Sequence, residues 1–427
     1  MASICVTGIW HQGAVLSACL SELGHSVAGV CANAEEAHRL ELGEPPVAEP
    51  LLGSLLEAGV AAGLLRFTDD LADGLAGTEF VFLSTDTAVR TDDSPDTEPL
   101  FTLARAIGEA ATGPFVLCVT AQVPVGTTER LAAVAGHRLE GYAYVPEFLR
   151  LGTAVESFRN ADRVVVGADD TTVRDRVARL YEELGRPIVP TDVRTAELAK
   201  HAANAFLATS ISFANEIADI AGAFGADPFA VGEILRLDRR IGPHAYLTPG
   251  PGFAGGTLGR ELRTLQQLAK ERGLETRVAD AVLAVNDGRA GRILDRLREG
   301  LGELAGKRVA LHGLTYKPGT PTLRRAASLE LAEALDRAGA SVRGYDPLAT
   351  AGVEPLAVEI VRDAYAAAKD ADAVAVLNPW PDGAVDMPRL RAAMRGNLLV
   401  DATGTIGRAP AAGAGFRYLS LWPEGRA

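Results

Sequence analysis

A glycine-punctuated turn, G-I-W-H-Q-G from Gly8 to Gly13, follows the apolar run SICVT and opens a helical stretch. In that position the N–H groups of a helix N-terminus can hold a phosphate. In the dinucleotide fingerprint G-x-G-x-x-G, the first glycine makes the tight turn and the second lets backbone approach a pyrophosphate. The third lets helix and strand pack closely. Gly8 and Gly13 fill the first and third places, and Trp10 occupies the second, where its indole could stack on a ring or plug the site. An acidic residue about 20 positions further on ordinarily takes the adenosine ribose. Here the next apolar run ends V-C-A-N instead, with Cys31 and Asn33. Gly8, Trp10, Gly13 and Asn33 form the candidate cofactor set, together with Thr87 beyond the run EFVFLST. The turn alone leaves two readings open, a bound dinucleotide or a fold kept without one.

Elsewhere the reactive side chains are scattered. Cys5, Cys19, Cys31 and Cys118 form no C-x-x-C, and the seven histidines form no H-E-x-x-H, so no metal site is expected. Cys5 and Cys118 lie in apolar runs and read as buried free thiols. Against 42 basic residues stand 55 acidic ones, a formal charge of −13. A chain this acidic has no general attraction for nucleic acid or an anionic membrane, so a phosphate ligand requires a local cluster of donors. The start MASICVTGIW lacks a basic segment before a long apolar one, and no apolar run is long enough to span a bilayer. A cytoplasmic protein is the resulting expectation.

The elements that would position these residues alternate between strand and helix. SICVTG, GHSVAGV, EFVFLST and PFVLCVT read as buried strands, with a helical stretch around Ala14–Leu23 and the polar loop RTDDSPDTEPL between the later runs. From Thr195 to Gly225 breakers are few and apolar residues recur at helical spacing, which predicts one helix of about 30 residues. Helices at Glu261–Leu274 and Arg277–Arg298 follow, separated from the long one by the Pro/Gly-rich loop TPGPGFAGGT (248–257). After Gly306 the opening pattern returns as KRVALHGL, SLELAEALDRAG and ASVRGYDP, with Asp346 where Cys31 stood. The expected fold is α/β, two Rossmann-like doubly wound domains joined by a central helical domain with a long helix. Its expected boundaries are 1–191, 192–300 and 301–427.

From residue 122 onward several motifs fall in one order. They are QVPVGTTERL, VPEFLRLGTAVESFRNADRVVVGA, AELAKHAANAFLATSISFANEIA, LDRRIGPHAYLTPGPGFAGG, and HGLTYKPGTPTLR followed by GYDP. In order and spacing they resemble the UDP-glucose/GDP-mannose dehydrogenase family over nearly the whole chain. The resemblance implies NAD as cofactor and a nucleotide sugar as substrate. It also implies a homodimer paired through the long helix, and oxidation of the sugar C6 alcohol to a carboxylate in two steps. In that chemistry a cysteine captures the intermediate aldehyde, because a thiolate attacks readily and leaves well.

Matched to the family, Glu147, Lys200 and Asn204 stand as active-site residues, and Lys200 and Asn204 lie four apart on one helical face, where they could polarise a substrate oxygen. The family's cysteine segment G-G-S-C-F-P-K-D corresponds to Gly255–Glu261, with Thr257 in the cysteine place, Arg260 for the lysine and Glu261 for the aspartate. A one-residue shift puts Gly256 or Leu258 in that place instead, and no register of the two segments supplies a thiol. Gln122 replaces a loop threonine, and Leu151 replaces a glutamate implicated in hydrolysis. The catalytic set is therefore Glu147, Lys200, Asn204, Thr257, Glu261 and Gln122. Arg240, Phe253, Gly255, Gly256, Lys317 and Arg324 form the substrate-binding set, with Arg240 reaching a neighbouring subunit's site. The expected function is an NAD-dependent oxidoreductase on a nucleotide sugar that stops short of the four-electron oxidation. A nucleotide-sugar-binding pseudoenzyme and a non-redox enzyme on the same scaffold are the alternatives.

Overall fold

The computed structural model describes residues 1–87, 90, 95–253, 255–315, 323, 326–349, 357–380 and 383–422. Two compact units divide the chain, Met1–Ala202 and Ala203–Ala427. Among the described residues of the first, eight strands form one sheet: β1 (Ser3–Thr7), β2 (Ser26–Val30), β3 (Leu65–Thr68), β4 (Phe80–Leu83), β5 (Phe115–Val119), β6 (Leu139–Tyr144), β7 (Val164–Gly167) and β8 (Ile188–Thr191). They lie in the order β3-β2-β1-β4-β5-β6-β7-β8, parallel throughout except where β6 meets β7 at Tyr144 and Gly167. The strand order reverses between β1 and β4, so the turn after β1 opens onto the crevice where doubly wound sheets bind ligands. FVFL and FVLCV are buried at every position, as expected for central strands covered on both faces.

Helix α1 (His11–Glu22) shows why this sequence closes over the sheet. Residues Gly13 to Ser21 are all buried, so the helix is enclosed rather than amphipathic. Its two serines satisfy their hydroxyls locally, Ser17 on the Gly13 carbonyl and Ser21 on that of Ala18. Burying Val15, Leu16 and Leu20 stabilises the unit by about 1.5–3 kcal/mol each. Asn33 caps α2 (Ala34–Glu41). α3 (Leu52–Ala61) begins after Leu51, which holds a left-handed φ of 68°. Two short helices, α4 (Thr127–Ala132) and α5 (Ala154–Arg159), follow the loops after β5 and β6.

The long helix α6 runs Val193–Ala223, close to the expected span. Asp192 starts it by accepting the Thr195 N–H at 2.8 Å. It ends where Gly225 takes a φ of 70° and the Ala226 N–H returns to the Ala221 carbonyl at 2.8 Å, a left-handed C-terminal stop. Beyond Ala203 it leaves Phe206, Phe213 and Ile220 exposed at seven-residue spacing, followed by Phe224.

In the second unit α7 (Pro228–Arg236), α8 (Arg260–Glu271), α9 (Arg277–Asp287) and α10 (Arg289–Leu301) precede another sheet. Its strands are β9 (Arg308–His312), β10 (Ser341–Tyr345), β11 (Glu359–Val361), β12 (Ala373–Val376), β13 (Leu398–Asp401) and β14 (Arg417–Ser420). All pair in parallel, in the order β11-β10-β9-β12-β13-β14. The architecture read from the opening of the chain therefore recurs after Gly306. One expectation changes: the single helix Arg277–Arg298 is two, parted at Gly288. Glycine is a poor helix former, and the buried Arg289 just after it turns to Asp219 at 3.1 Å and to the Gly250 carbonyl at 3.2 Å.

Candidate active site

The turn after β1 requires glycine at two places. Gly8 has φ 80°, and a Cβ there would lie 2.6 Å from the Thr85 backbone; a Cβ on Gly13 would lie 2.4 Å from the Gly8 carbonyl oxygen. Trp10 needs no such freedom, because its backbone is extended at φ −113° and ψ −152°. Its indole is 54% exposed beside the turn. No side chain caps α1, so its first N–H groups face the crevice without a side-chain acceptor, and they suit a pyrophosphate. Cys31 is buried, and burial pushes its thiol up to about 12; it offers no anion to a ribose. Asn33 spends its Oδ1 on the Glu36 N–H at 2.9 Å. Thr87 Oγ1 donates to the Gln122 carbonyl at 2.9 Å, joining a residue of the cofactor set to one of the catalytic set.

Helix α6 organises the loops after β5 and β6. The Glu197 carboxylate accepts the N–H groups of Gly126 at 2.5 Å and Thr128 at 2.9 Å. One turn on, His201 Nε2 bonds the Val123 carbonyl at 2.8 Å, which fixes the loop beyond Gln122. Between them Lys200 Nζ donates to the Glu147 backbone oxygen and stands 4.8 Å from the Phe148 ring centroid. The Glu147 side chain is buried, and burial pushes its carboxyl up to about 7, opposed in part by the Lys200 ammonium. A carboxylate whose proton affinity lies near neutrality is well matched to proton transfer at ordinary pH. Leu151 follows four residues later, half-buried and without a carboxylate.

In the second unit a set of side chains moulds the loop Gly250–Phe253. Asn215 Oδ1 accepts the Gly250 N–H at 2.8 Å. Asn286 both accepts the Phe253 N–H at 2.8 Å and donates to its carbonyl at 3.0 Å. Phe253 packs in a buried cluster with Ala208, Leu262, Val282 and Leu283. The end of the expected loop is not irregular: Gly255–Gly259 form a π-helical turn running directly into α8, a wide geometry often found at functional sites. Gly255 and Gly256 open that turn, and Thr257 is exposed on it. Arg260 and Glu261 are buried next to it, with Arg260 Nε 3.6 Å from Glu261 Oε1.

Asn204 is buried, and its Nδ2 has no hydrogen-bond partner among the described residues. Arg240 is exposed and paired with Asp238 at 2.6 Å. Lys317 and Arg324 lie outside the described residues. Sequence reasoning passed over Glu197, His201, Asn215 and Asn286. The first two carried a legible signal, since they share with Lys200 and Asn204 the i, i+3, i+4, i+7 spacing of one helical face. The two asparagines carried none, because what they bind is backbone far away in sequence.

Comparison with known proteins agrees with this arrangement. Residues 2–185 match the NAD binding domain of the UDP-glucose/GDP-mannose dehydrogenase family, residues 194–288 its central domain and residues 310–408 its UDP binding domain. The chain is 37% identical to a UDP-glucose 6-dehydrogenase of Pseudomonas aeruginosa, covering 98% of this chain and 97% of that protein. It is 35% identical to one of Haloferax volcanii, covering 97% and 99%. The solved UDP-glucose dehydrogenase of Pyrobaculum islandicum superposes with a TM-score of 0.88 at 32% identity, covering 99% of this chain and 98% of that one. No described helix is long and apolar enough to cross a membrane. With its three domains matched in order and NAD as the cofactor of the first, the chain belongs to the UDP-glucose/GDP-mannose dehydrogenase family.

Proposed function

We propose that this protein oxidises a CH–OH group of a nucleotide sugar by two electrons and does not carry the product on to the carboxylate at a rate typical of its relatives. What supports this reading is the chemistry of Gly255–Glu261, which holds no thiol in any register and, matched to the family by its charged ends, sets the exposed Thr257 against the cysteine. All four cysteines of the chain are buried at or before residue 118, far from this segment in sequence. An unassisted alcohol is a poor nucleophile, so covalent capture of an aldehyde has no group to perform it. Leu151 likewise removes a carboxylate that would manage hydrolytic water.

NAD, when bound, supplies the acceptor for the hydride leaving the sugar carbon. The chain supplies the rest. The Gly8–Gly13 turn holds the pyrophosphate on backbone N–H groups, with Trp10 beside it and Asn33 and Thr87 completing the cofactor set. Glu147, tuned near neutrality, accepts the hydroxyl proton, while Lys200 polarises the same oxygen. By its match to the family, Asn204 would act on the substrate as well. Gln122 and the buried Glu261 orient the reacting group. Arg240, Phe253, Gly255 and Gly256 hold the sugar and diphosphate together with Lys317 and Arg324, whose guanidinium and ammonium suit phosphate oxygens. In this scheme residues 1–191 carry the cofactor, 192–300 pair subunits, and 301–427 bind the nucleotide. The work is cytoplasmic, in keeping with four unpaired thiols.

Supplying NAD with a panel of nucleotide sugars and weighing the products tests the reading. One NADH for each aldehyde or ketone is expected. Two NADH for each carboxylate at ordinary turnover would overturn it, and no NADH with any sugar would favour a binding role. We further propose a homodimer through α6, supported by the exposed Phe206, Phe213, Ile220 and Phe224 and by a central domain that would present Arg240 to its partner. Light scattering should show a dimer at micromolar concentration and a monomer for Phe213→Asp.

A further inference from the structure

The first residue of α1 does more than extend the cofactor turn. The imidazole of His11 reaches the Glu49 carboxylate, Nε2 to Oε2 at 2.7 Å. Glu49 lies in the segment between α2 and α3, and its side chain is completely buried. The same carboxylate accepts the Gly152 N–H on Oε2 at 2.9 Å and the Ala154 N–H on Oε1 at 2.7 Å. Three donors from two distant segments thus converge on one buried anion. Hydrogen bonds to a charged acceptor are about twice as strong as neutral ones, and burial removes the competing water.

One end of this junction is the N-terminus of α1, where the turn offers its N–H groups to a pyrophosphate. The other is the loop Arg150–Thr153, directly after Glu147 and containing Leu151, which leads into α5. Gly152 holds a left-handed φ of 87° there, and Arg150 is exposed. Within the loop, Thr153 Oγ1 and the Thr153 N–H both donate to the Arg150 carbonyl.

We infer that His11 and Glu49 are positioning residues that couple the cofactor turn to the substrate-side loop, so that NAD on the turn steadies the loop Arg150–Thr153. The physical basis is restriction. A dinucleotide that fixes the backbone of His11 leaves its imidazole less freedom, and loop opening must then break the bond to Glu49 against a held partner. Rigidifying one element lowers the further entropy lost on ordering the element bonded to it, and the linkage is reciprocal.

Trypsin cutting at Arg150–Leu151 reads the loop directly, with the 1–150 fragment identified by mass, and quenching of Trp10 fluorescence reports NAD binding independently. In the parent protein, saturating NAD should slow this cut on the order of tenfold, the effect of one charge-assisted hydrogen bond. His11→Phe keeps a ring and removes the donor. It should still quench Trp10 with NAD and should lose the protection at Arg150. Glu49→Gln, which turns one acceptor into a donor facing a donor, should lose it as well. His11→Gln, whose amide can donate to Glu49, should regain part of it. Equal NAD protection in the parent, His11→Phe and Glu49→Gln would overturn the inference, as would the absence of any effect of NAD on the cut in the parent. A purely structural role for the pair would speed cutting equally with and without NAD.

Discussion

Replacing Glu147 with glutamine separates burial of this carboxyl from everything else in the site. Burial raises its pKa from 4.5 to about 7, and the Lys200 ammonium opposes the rise only in part. A raised carboxyl pKa means that the fold prefers the protonated acid. Stability from this group is therefore fully present below pH 4.5 and is lost as pH rises through about 7. At ~1.4 kcal/mol for each tenfold change in proton affinity, the difference amounts to about 3 kcal/mol. Glutamine cannot ionise and is close to the protonated acid in shape. Urea unfolding of the two proteins, followed by circular dichroism and fluorescence from about pH 4.5 to 8.5, should give a stability difference that moves by about 3 kcal/mol in favour of Glu147→Gln at the alkaline end. The Glu147→Gln protein should also lose NADH production while still quenching Trp10 with NAD. A stability difference that stays flat across this range would show a hydrated carboxylate, and the assignment of Glu147 as a base tuned to neutral pH would fall with it.

Two further perturbations test the scaffold rather than the chemistry. Glu197→Ala removes the acceptor of two N–H groups at Gly126 and Thr128; leaving such donors without a partner should cost about 2–4 kcal/mol, measured as a lower urea midpoint, with Glu197→Gln costing less. Leu51→Gly should stabilise the fold by about 0.5–1 kcal/mol, read as a higher urea midpoint, since a left-handed conformation costs a side chain ~1–2 kcal/mol and the flexibility of glycine returns roughly half of that. Leu51 is exposed, so little packing is lost, and a lower midpoint would show that its φ is not strained.

Much of the architecture was legible in the residues themselves. The strands were visible because both faces of a parallel sheet are covered, so the ICV of SICVT, FVFL and FVLCV are unbroken apolar runs. The long helix was visible because Val193–Ala221 contains neither glycine nor proline, and its stop was marked by Gly222 and Gly225. The repeat of the opening pattern after Gly306 anticipated a second Rossmann-like sheet. Gly8 and Gly13 could be identified as turn glycines from spacing alone, and Thr257 as a residue without a thiol from type alone.

What only the tertiary structure decided concerns groups whose partners lie far away in the chain. Glu147 in sequence is a loop carboxylate like many others. Its proton affinity near neutrality comes from burial in the fold, a property no local pattern encodes. By residue type Trp10 could stack on a ring or plug the site, whereas its exposure of 54% is a property of the fold. The π-helical turn at Gly255–Gly259 was hidden because its glycines and Pro251 read as loop, whereas the buried Arg260 and Glu261 draw the chain into α8. Glu49 carried no signal at all. A carboxylate between two helices reads as solvated until the fold brings the imidazole of His11 and the N–H groups of Gly152 and Ala154 to it, and convergence across 38, 103 and 105 residues of sequence is a product of chain topology, not of residue type.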